Sequence, residues 1–257
     1  MPSELPLDQF YMGRTLNFGH RGASHDAPAN TLAAFELAAQ YGADGVELDV
    51  MLTADRQPVV IHDATVDATT DGTGRVADLT LAQIKALDAG STFDQRFAGE
   101  RVPTLAEVLE AVGDRLLLNV ELKGLGLKQD GLETLVADLI VRHGLTSRVI
   151  VSSFNPLRLR RMRKIAPQIP LGFLHAPGVL GRWRWEWLMW GFRREADHPE
   201  HRQVTPNYMA WARRRRLRVN TWVVNSPERM AVLRDMGVDM IITDRPDVLR
   251  SVLQGER

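Results

Sequence analysis

Short apolar runs and amphipathic stretches alternate along nearly the whole chain. Runs at 16–22, 45–51, 116–122, 148–153, 169–174, 217–224 and 239–243 read as buried strands, with a weaker one near 194–198. Between most of them lie segments of helical period, at 30–41, 104–112, 131–143, 155–165, 205–215, 226–236 and 246–254. Strands alternating with helices imply βα units and a parallel sheet. About eight such strands in 257 residues predict the α/β class and a closed (β/α)8 TIM barrel. Turn chemistry agrees with these boundaries. Asn30-Thr31, Pro103-Thr104 and Ser226-Pro227 open helices, and the glycines of "GDR" at 113–115 and "GVD" at 237–239 stop them. Neither a solenoid repeat nor a low-complexity linker interrupts the pattern, so a single domain over 1–257 is expected.

Two stretches depart from the alternation. In "TADRQPVVIHD", 53–63, five residues between Leu52 and Pro58 are too few for a crossover, so 46–52 and 58–62 should pair as an antiparallel hairpin. A turn near Asp55 then sets His62 across from Leu48. The polar, Gly-rich stretch 64–102 reads as an excursion outside the barrel core, inserted after the second barrel strand.

Composition changes this picture little. Apolar residues make up 44% and charged residues 25%, and 32 basic side chains balance 32 acidic ones, so overall charge selects no partner. Its distribution is uneven: residues 155–220 carry 15 basic against 4 acidic side chains, while residues 1–154 carry 12 against 22. That asymmetry fits either a face for anionic partners or a solvated basic surface. The run "RRRRLR" at 213–218 reads as a solvated helix end, and no nucleic-acid partner is expected. Absence of cysteine excludes a disulfide framework, a thiolate nucleophile and Cys-ligated zinc. The N-terminus lacks the charged and apolar regions of a secretory signal, and no apolar run is long enough to span a bilayer, so a cytoplasmic location is expected.

The candidate chemistry sits at strand ends. Glu47 and Asp49 lie two apart on one strand and share a face, while Val46, Leu48 and Val50 take the buried one. Such a pair is either a surface stripe of acids or a site for a hard divalent cation, Mg²⁺ or Ca²⁺. In "LLLNVELKG" at 116–124, Glu121 and Lys123 repeat the spacing at the end of another strand, where barrel enzymes build their sites. Glu121 would complete a three-carboxylate metal site, and Lys123 would meet an anionic substrate. An exposed Glu–Lys pair is the alternative. His20 and Arg21 end the first strand, and His62 ends the hairpin. Two imidazoles beside a metal supply one acid and one base, and an arginine binds phosphate oxygens in a fork. Together these describe phosphodiester hydrolysis.

The segments "GHRG", "NTLAAF", "GADGVELDV", "PVVIHD", "DGTGRV", "NVELK", "SSFN", "NTWVVN" and "GVDMIITDRP", in this order over about residues 16–250, resemble the glycerophosphodiester phosphodiesterase family. The resemblance implies a (β/α)8 barrel with a small insertion after the second barrel strand. It also implies metal-dependent hydrolysis of glycerophosphodiesters to glycerol 3-phosphate and an alcohol. By the same resemblance His20 and His62 match the acid/base pair, Arg21 and Lys123 the phosphate contacts, and Glu47, Asp49 and Glu121 the metal ligands. Trp222 matches an aromatic lining the glycerol pocket, and Phe154 is a second candidate for that wall. Three positions depart from the family pattern. Ala29 stands where the family has Glu, Arg56 where the hairpin turn often has Gly, and Ala68 where Arg is usual. An alternative within the same chemistry is a lysophospholipase D, or a lyase that forms a cyclic phosphate.

The stretch "VLGRWRWEWLMWGFRRE", 179–195, has no counterpart in those motifs. Trp183, Trp187 and Trp190 follow helical spacing with Leu180 and are flanked by Arg182, Arg193 and Arg194. Such a face would rest on an anionic bilayer and favour lysophospholipid substrates, or it would pack against the barrel or a second copy. Liposome co-sedimentation decides between these. If the face seats on lipid, wild type pellets with anionic vesicles and a Trp183/Trp187/Trp190→Ala triple variant does not; equal pelleting, or none, leaves packing.

Overall fold

Alternate residues of eight parallel strands turn inward to fill a closed barrel. The computed structural model describes residues 10–124, 126, 129–177 and 192–255. Its strands are β1 (Leu16–His20), β2 (Gly45–Leu52), β3 (Pro58–Val60), β4 (Leu117–Leu122), β5 (Val149–Ser153), β6 (Leu171–His175), β7 (Ala196–Pro199), β8 (Arg218–Thr221) and β9 (Met240–Thr243). The order β1-β9-β8-β7-β6-β5-β4-β2 closes through a β1–β2 pairing, and β3 attaches to β2 alone, antiparallel. This is the (β/α)8 barrel that the alternation predicts. The weak strand near 194–198 is real and lies at 196–199 as β7.

The helices are α1 (Leu32–Gln40), α2 (Leu81–Ala86), α3 (Leu105–Val112), α4 (Leu132–Arg142), α5 (Pro156–Ile165), α6 (Pro206–Arg214), α7 (Pro227–Met236) and α8 (Pro246–Gln254). Polar caps start most of them. Thr31, Thr80, Thr104, Asn155, Thr205 and Ser226 each accept a backbone N–H of the first turn, a contact worth about 1 kcal/mol apiece. Asn30, the other half of the expected cap, is used elsewhere. Its backbone is left-handed (φ +61°), which turns its side chain toward the barrel mouth.

Outward-facing Val46, Leu48, Val50, Leu118, Val120 and Leu122 join the helices in one large apolar layer. Inward-facing Leu16, Phe18, Leu117, Ile150, Met240 and Ile242 pack with Phe10 and Tyr11 inside the barrel. Continuing the inward columns in steps of two residues leads from Phe18 to His20, from Ile150 through Ser152 to Phe154, and from Ile242 to Asp244.

The hairpin has the expected register. Val50 pairs with Val60 and Leu52 with Pro58, which extrapolates to Leu48 opposite His62. Its turn holds Arg56 at φ +63°, a left-handed conformation that costs a non-glycine residue about 1–2 kcal/mol. The excursion 64–102 is more than a polar loop. It contains α2 and turns of 3₁₀ helix at Val76–Asp78 and Gln95–Phe97. Its Val66, Val76, Ile84, Ala89 and Val102 form a small core with Val59 and Ile61 of the hairpin. Polar composition hides this core because its apolar members are widely spaced. The Trp-rich helix expected within 179–195 falls on residues 178–191, outside the described ones. Among the described residues, no helix is long and apolar enough to cross a membrane.

Asp197 of β7 joins the strands flanking that segment to α6. It accepts from Tyr208, lies 3.1 Å from His175 Nε2, and takes Arg194 Nε at 3.1 Å. Burial opposes its ionisation, but His175 and Arg194 outweigh it and bring its pKa down to about 2. Asp197→Ala would leave Arg194 (14% exposed) without its carboxylate. A loss of about 3–5 kcal/mol is expected in denaturant unfolding at pH 7. Because the folded pKa lies below the unfolded one, the wild-type advantage should be complete above about pH 5 and fade between pH 4 and 2.

Candidate active site

The C-terminal ends of the strands surround a pocket of about 180 Å³ lined by His20, Arg21, Glu47, Asp49, His62, Glu121, Lys123, Phe154 and Trp222. Every residue singled out from the sequence as a site residue therefore meets in one cavity. A larger cleft of about 490 Å³ opens around Arg14 and Asp44. These precede β1 and β2, so it lies at the opposite end of the barrel, away from this chemistry.

Strand pairing brings the carboxylates together. Asp49 of β2 lies in register with Glu121 of β4, and Glu47 sits one inward step below Asp49. One oxygen from each of Glu47, Asp49 and Glu121 can be chosen so that all lie within 4.8 Å of one another, and all three residues are buried. Two cations face them. Lys123 Nζ lies 3.0 Å from Glu121 and 3.3 Å from Asp49, and Arg21 Nε lies 3.2 Å from Asp49. Asn30 Nδ2 donates to Asp49 Oδ2 at 2.9 Å, which is where the residue freed from capping goes.

Three acids against two bases leave the cluster one positive charge short. Burial, then the charges of Asp49 and Glu121, push the Glu47 carboxyl well above its usual range. Burial and Asp49 likewise raise Glu121 to about 7. Burial resists ionisation of Asp49 too, but Lys123 and Arg21 hold it below the ordinary value. Carboxylates that cannot all ionise by themselves form a donor set of hard oxygens, and such a set suits a divalent cation.

The histidines stand on either side, each backed by an aspartate. His20 Nδ1 is 2.7 Å from Asp244 Oδ1, and its Nε2 is 4.0 Å from Glu47. Ser24 and Asn225 also donate to Asp244. Burial opposes its charge, but the bond to His20 and these donors bring its pKa down to about 2. His62 Nδ1 is 2.6 Å from Asp63 Oδ1. Burial pushes the His62 imidazole below its ordinary value, so it stands neutral near pH 7.

Asp244, Asp63 and Asn30 are the residues that sequence reasoning missed as parts of this site. Asp63 directly follows a candidate histidine, and Asp244 ends an inward column, so the signal for each was position alone.

The loop after β1 turns sharply to deliver these groups. Arg21 is left-handed (φ +57°) and Gly22 follows at φ +90°, where a Cβ would meet the Ala34 backbone at 2.6 Å. Only glycine admits that approach of the loop to α1. The Arg21 amide donates to the Glu47 carbonyl at 2.9 Å and fixes the turn. In the same pocket, Phe154 and Trp222 meet edge to face with ring centroids 5.5 Å apart, and Trp222 Nε1 donates to the His198 carbonyl. That pair forms an apolar wall with a fixed orientation.

Known proteins resemble this chain in sequence and fold. The family model for the glycerophosphoryl diester phosphodiesterase family matches residues 20–248. A glycerophosphodiester phosphodiesterase of Caldanaerobacter subterraneus subsp. tengcongensis is 41% identical over 242 residues, which cover 94% of this chain and 98% of that protein. The structure of an Oleispira antarctica phosphodiesterase in complex with the product sn-glycerol-3-phosphate superposes with a TM-score of 0.83 at 30% identity, covering 95% of this chain and 98% of that one. A crystal structure of glycerophosphodiester phosphodiesterase from Agrobacterium tumefaciens str. C58 gives a TM-score of 0.78 at 31% identity, over 92% of this chain and 99% of its own. With the fold, the strand-end chemistry and these matches in agreement, the chain belongs to the glycerophosphoryl diester phosphodiesterase family.

Proposed function

We propose that this protein hydrolyses glycerophosphodiesters to glycerol 3-phosphate and an alcohol, with a divalent cation held by Glu47, Asp49 and Glu121. The observation that carries the proposal is the buried three-carboxylate cluster, with a histidine on either side and an arginine and a lysine against it. The Oleispira antarctica relative, solved with sn-glycerol-3-phosphate, supports the same substrate class. A divalent cation, Mg²⁺ or Ca²⁺, supplies the missing positive charge when bound and polarises a phosphoryl oxygen.

The remaining steps belong to side chains. Arg21 and Lys123 offset the phosphoryl charge, and Trp222 and Phe154 bear on the glycerol. His62, neutral and with Nδ1 held by Asp63, accepts the proton of the attacking water at Nε2. His20, with Nδ1 held by Asp244, gives a proton to the leaving alcohol oxygen as the bond from that oxygen to phosphorus breaks. Both aspartates hold an imidazole in one tautomer and orientation. We also infer that residues 1–257 act as one barrel domain, because the excursion packs on the β3 hairpin that carries His62.

Phosphorus NMR of the products from glycerophosphocholine, with Mg²⁺, Ca²⁺ or EDTA, tests this reading. Glycerol 3-phosphate should appear with a cation and not with EDTA. A cyclic phosphate would mean that a substrate hydroxyl, rather than water, attacks. His20→Ala and His62→Ala should each lower kcat by about 10²–10⁴-fold without loss of folded circular dichroism. Unchanged turnover in either variant would refute its assigned role.

A further inference from the structure

Resting on the phosphodiesterase reading, we propose that a second cleft beside the catalytic pocket receives the leaving alcohol, and that Arg56 makes it selective for alcohols bearing a carboxylate or phosphate. The catalytic pocket, at about 180 Å³, is smaller than the roughly 300–1,000 Å³ of a site that encloses a drug-sized ligand. The Phe154–Trp222 pair takes up part of its lining, so the half of the diester beyond phosphorus needs space elsewhere. A cleft of about 460 Å³ supplies it, running between the hairpin turn, the excursion and the residues Gly124, Asp130 and Leu132. Lys123 lines both cavities and stands at their junction.

The wall of this cleft is cationic. Lys123, Arg56, Arg75 and Arg158 all face it, against Asp130. Two of the four are firmly held by carboxylates, and a third has one exposed acidic neighbour. Arg158 is clamped by Asp130 and Glu133, Lys123 by Glu121 and Asp49, and Arg75 lies 3.7 Å from Asp78. Arg56 has no carboxylate partner among the described residues. Its guanidinium reaches across the cleft to Gly131, where an added Cβ would lie 2.8 Å from Nη2. Arg56 is also the left-handed residue of the hairpin turn, at φ +63°. An arginine on left-handed backbone, over a cleft that shares Lys123 with the site, is placed to bind an anion. Asp49 and Leu52 are three residues apart on β2, so the turn stands about 10 Å beyond the carboxylates along the strand. An alcohol a few bonds longer than the phosphorus–oxygen linkage, met by an extended arginine, spans that distance.

Glycerophosphoserine and glycerophosphoethanolamine isolate the effect, since the two differ only by a carboxylate. The readout is the ratio of kcat/KM for the serine diester to that for the ethanolamine diester, with Mg²⁺ or Ca²⁺ present. Arg56→Gln should lower the ratio about three- to tenfold, the range for an exposed charge-assisted contact, and Arg56→Glu should lower it further. Arg56→Lys should keep most of it. Arg56→Gly removes the guanidinium while relaxing the turn, so it should lower the ratio with no loss of thermal stability. A ratio within about twofold of wild type in the Gln, Glu and Gly variants, with both diesters still hydrolysed, overturns this inference and leaves the phosphodiesterase reading standing. Wild type that hydrolyses neither diester overturns both.

Discussion

Like-charge repulsion between Glu47, Asp49 and Glu121 is the constraint around which the barrel mouth is organised. Three carboxylates taken out of water cannot stay ionised together unless positive charge is brought within a few ångströms. Arg21 and Lys123 supply two such charges, and both sit where the backbone allows little choice. Lys123 follows Glu121 by one inward step of the strand, and Arg21 is set by a turn that only the Gly22 backbone can complete. Asn30 gives up helix capping and instead donates to the carboxylate that the two cations hold most firmly. The helix start, the strand register and the loop after β1 are therefore fitted to one local electrostatic problem.

Much of this was legible in the residues because a barrel strand has a period of two. Once Val46, Leu48 and Val50 were read as buried, Glu47 and Asp49 had to share the opposite face. The five-residue turn similarly set the hairpin register that brings His62 to the mouth. Partners that depend on closure were not legible. Asp244 stands 224 residues from His20, and nothing local ties the end of one apolar strand to the end of another. The register of β1 with both β2 and β9 is what makes them neighbours. Asp197 was hidden for a similar reason, in a strand of four residues whose partners lie on α6 and across β6.

The excursion shows a different limit. Its apolar residues, from Val66 to Val102, are spaced too widely to give a helical or strand period, yet they collapse on Val59 and Ile61. Packing of that small core holds the hairpin that bears His62 against the barrel rim. It also shapes one side of the cleft beside Lys123. A segment that looks like an interruption in the pattern thus carries part of the rim around which the chemistry is built.

Closure of the barrel also has a temporal consequence. β1 lies between β2, its neighbour in sequence, and β9, the last strand before α8. On a growing chain, β1 to β5 can assemble early, but the seam between β1 and β9 waits until every strand between them has been made. Pairings of such long sequence separation form slowly, and unpaired edges stay open while they do. His20 obtains its aspartate only at that seam. A chain that has not yet made β9 can thus bring Glu47, Asp49 and Glu121 together while His20 still lacks the aspartate that orients it.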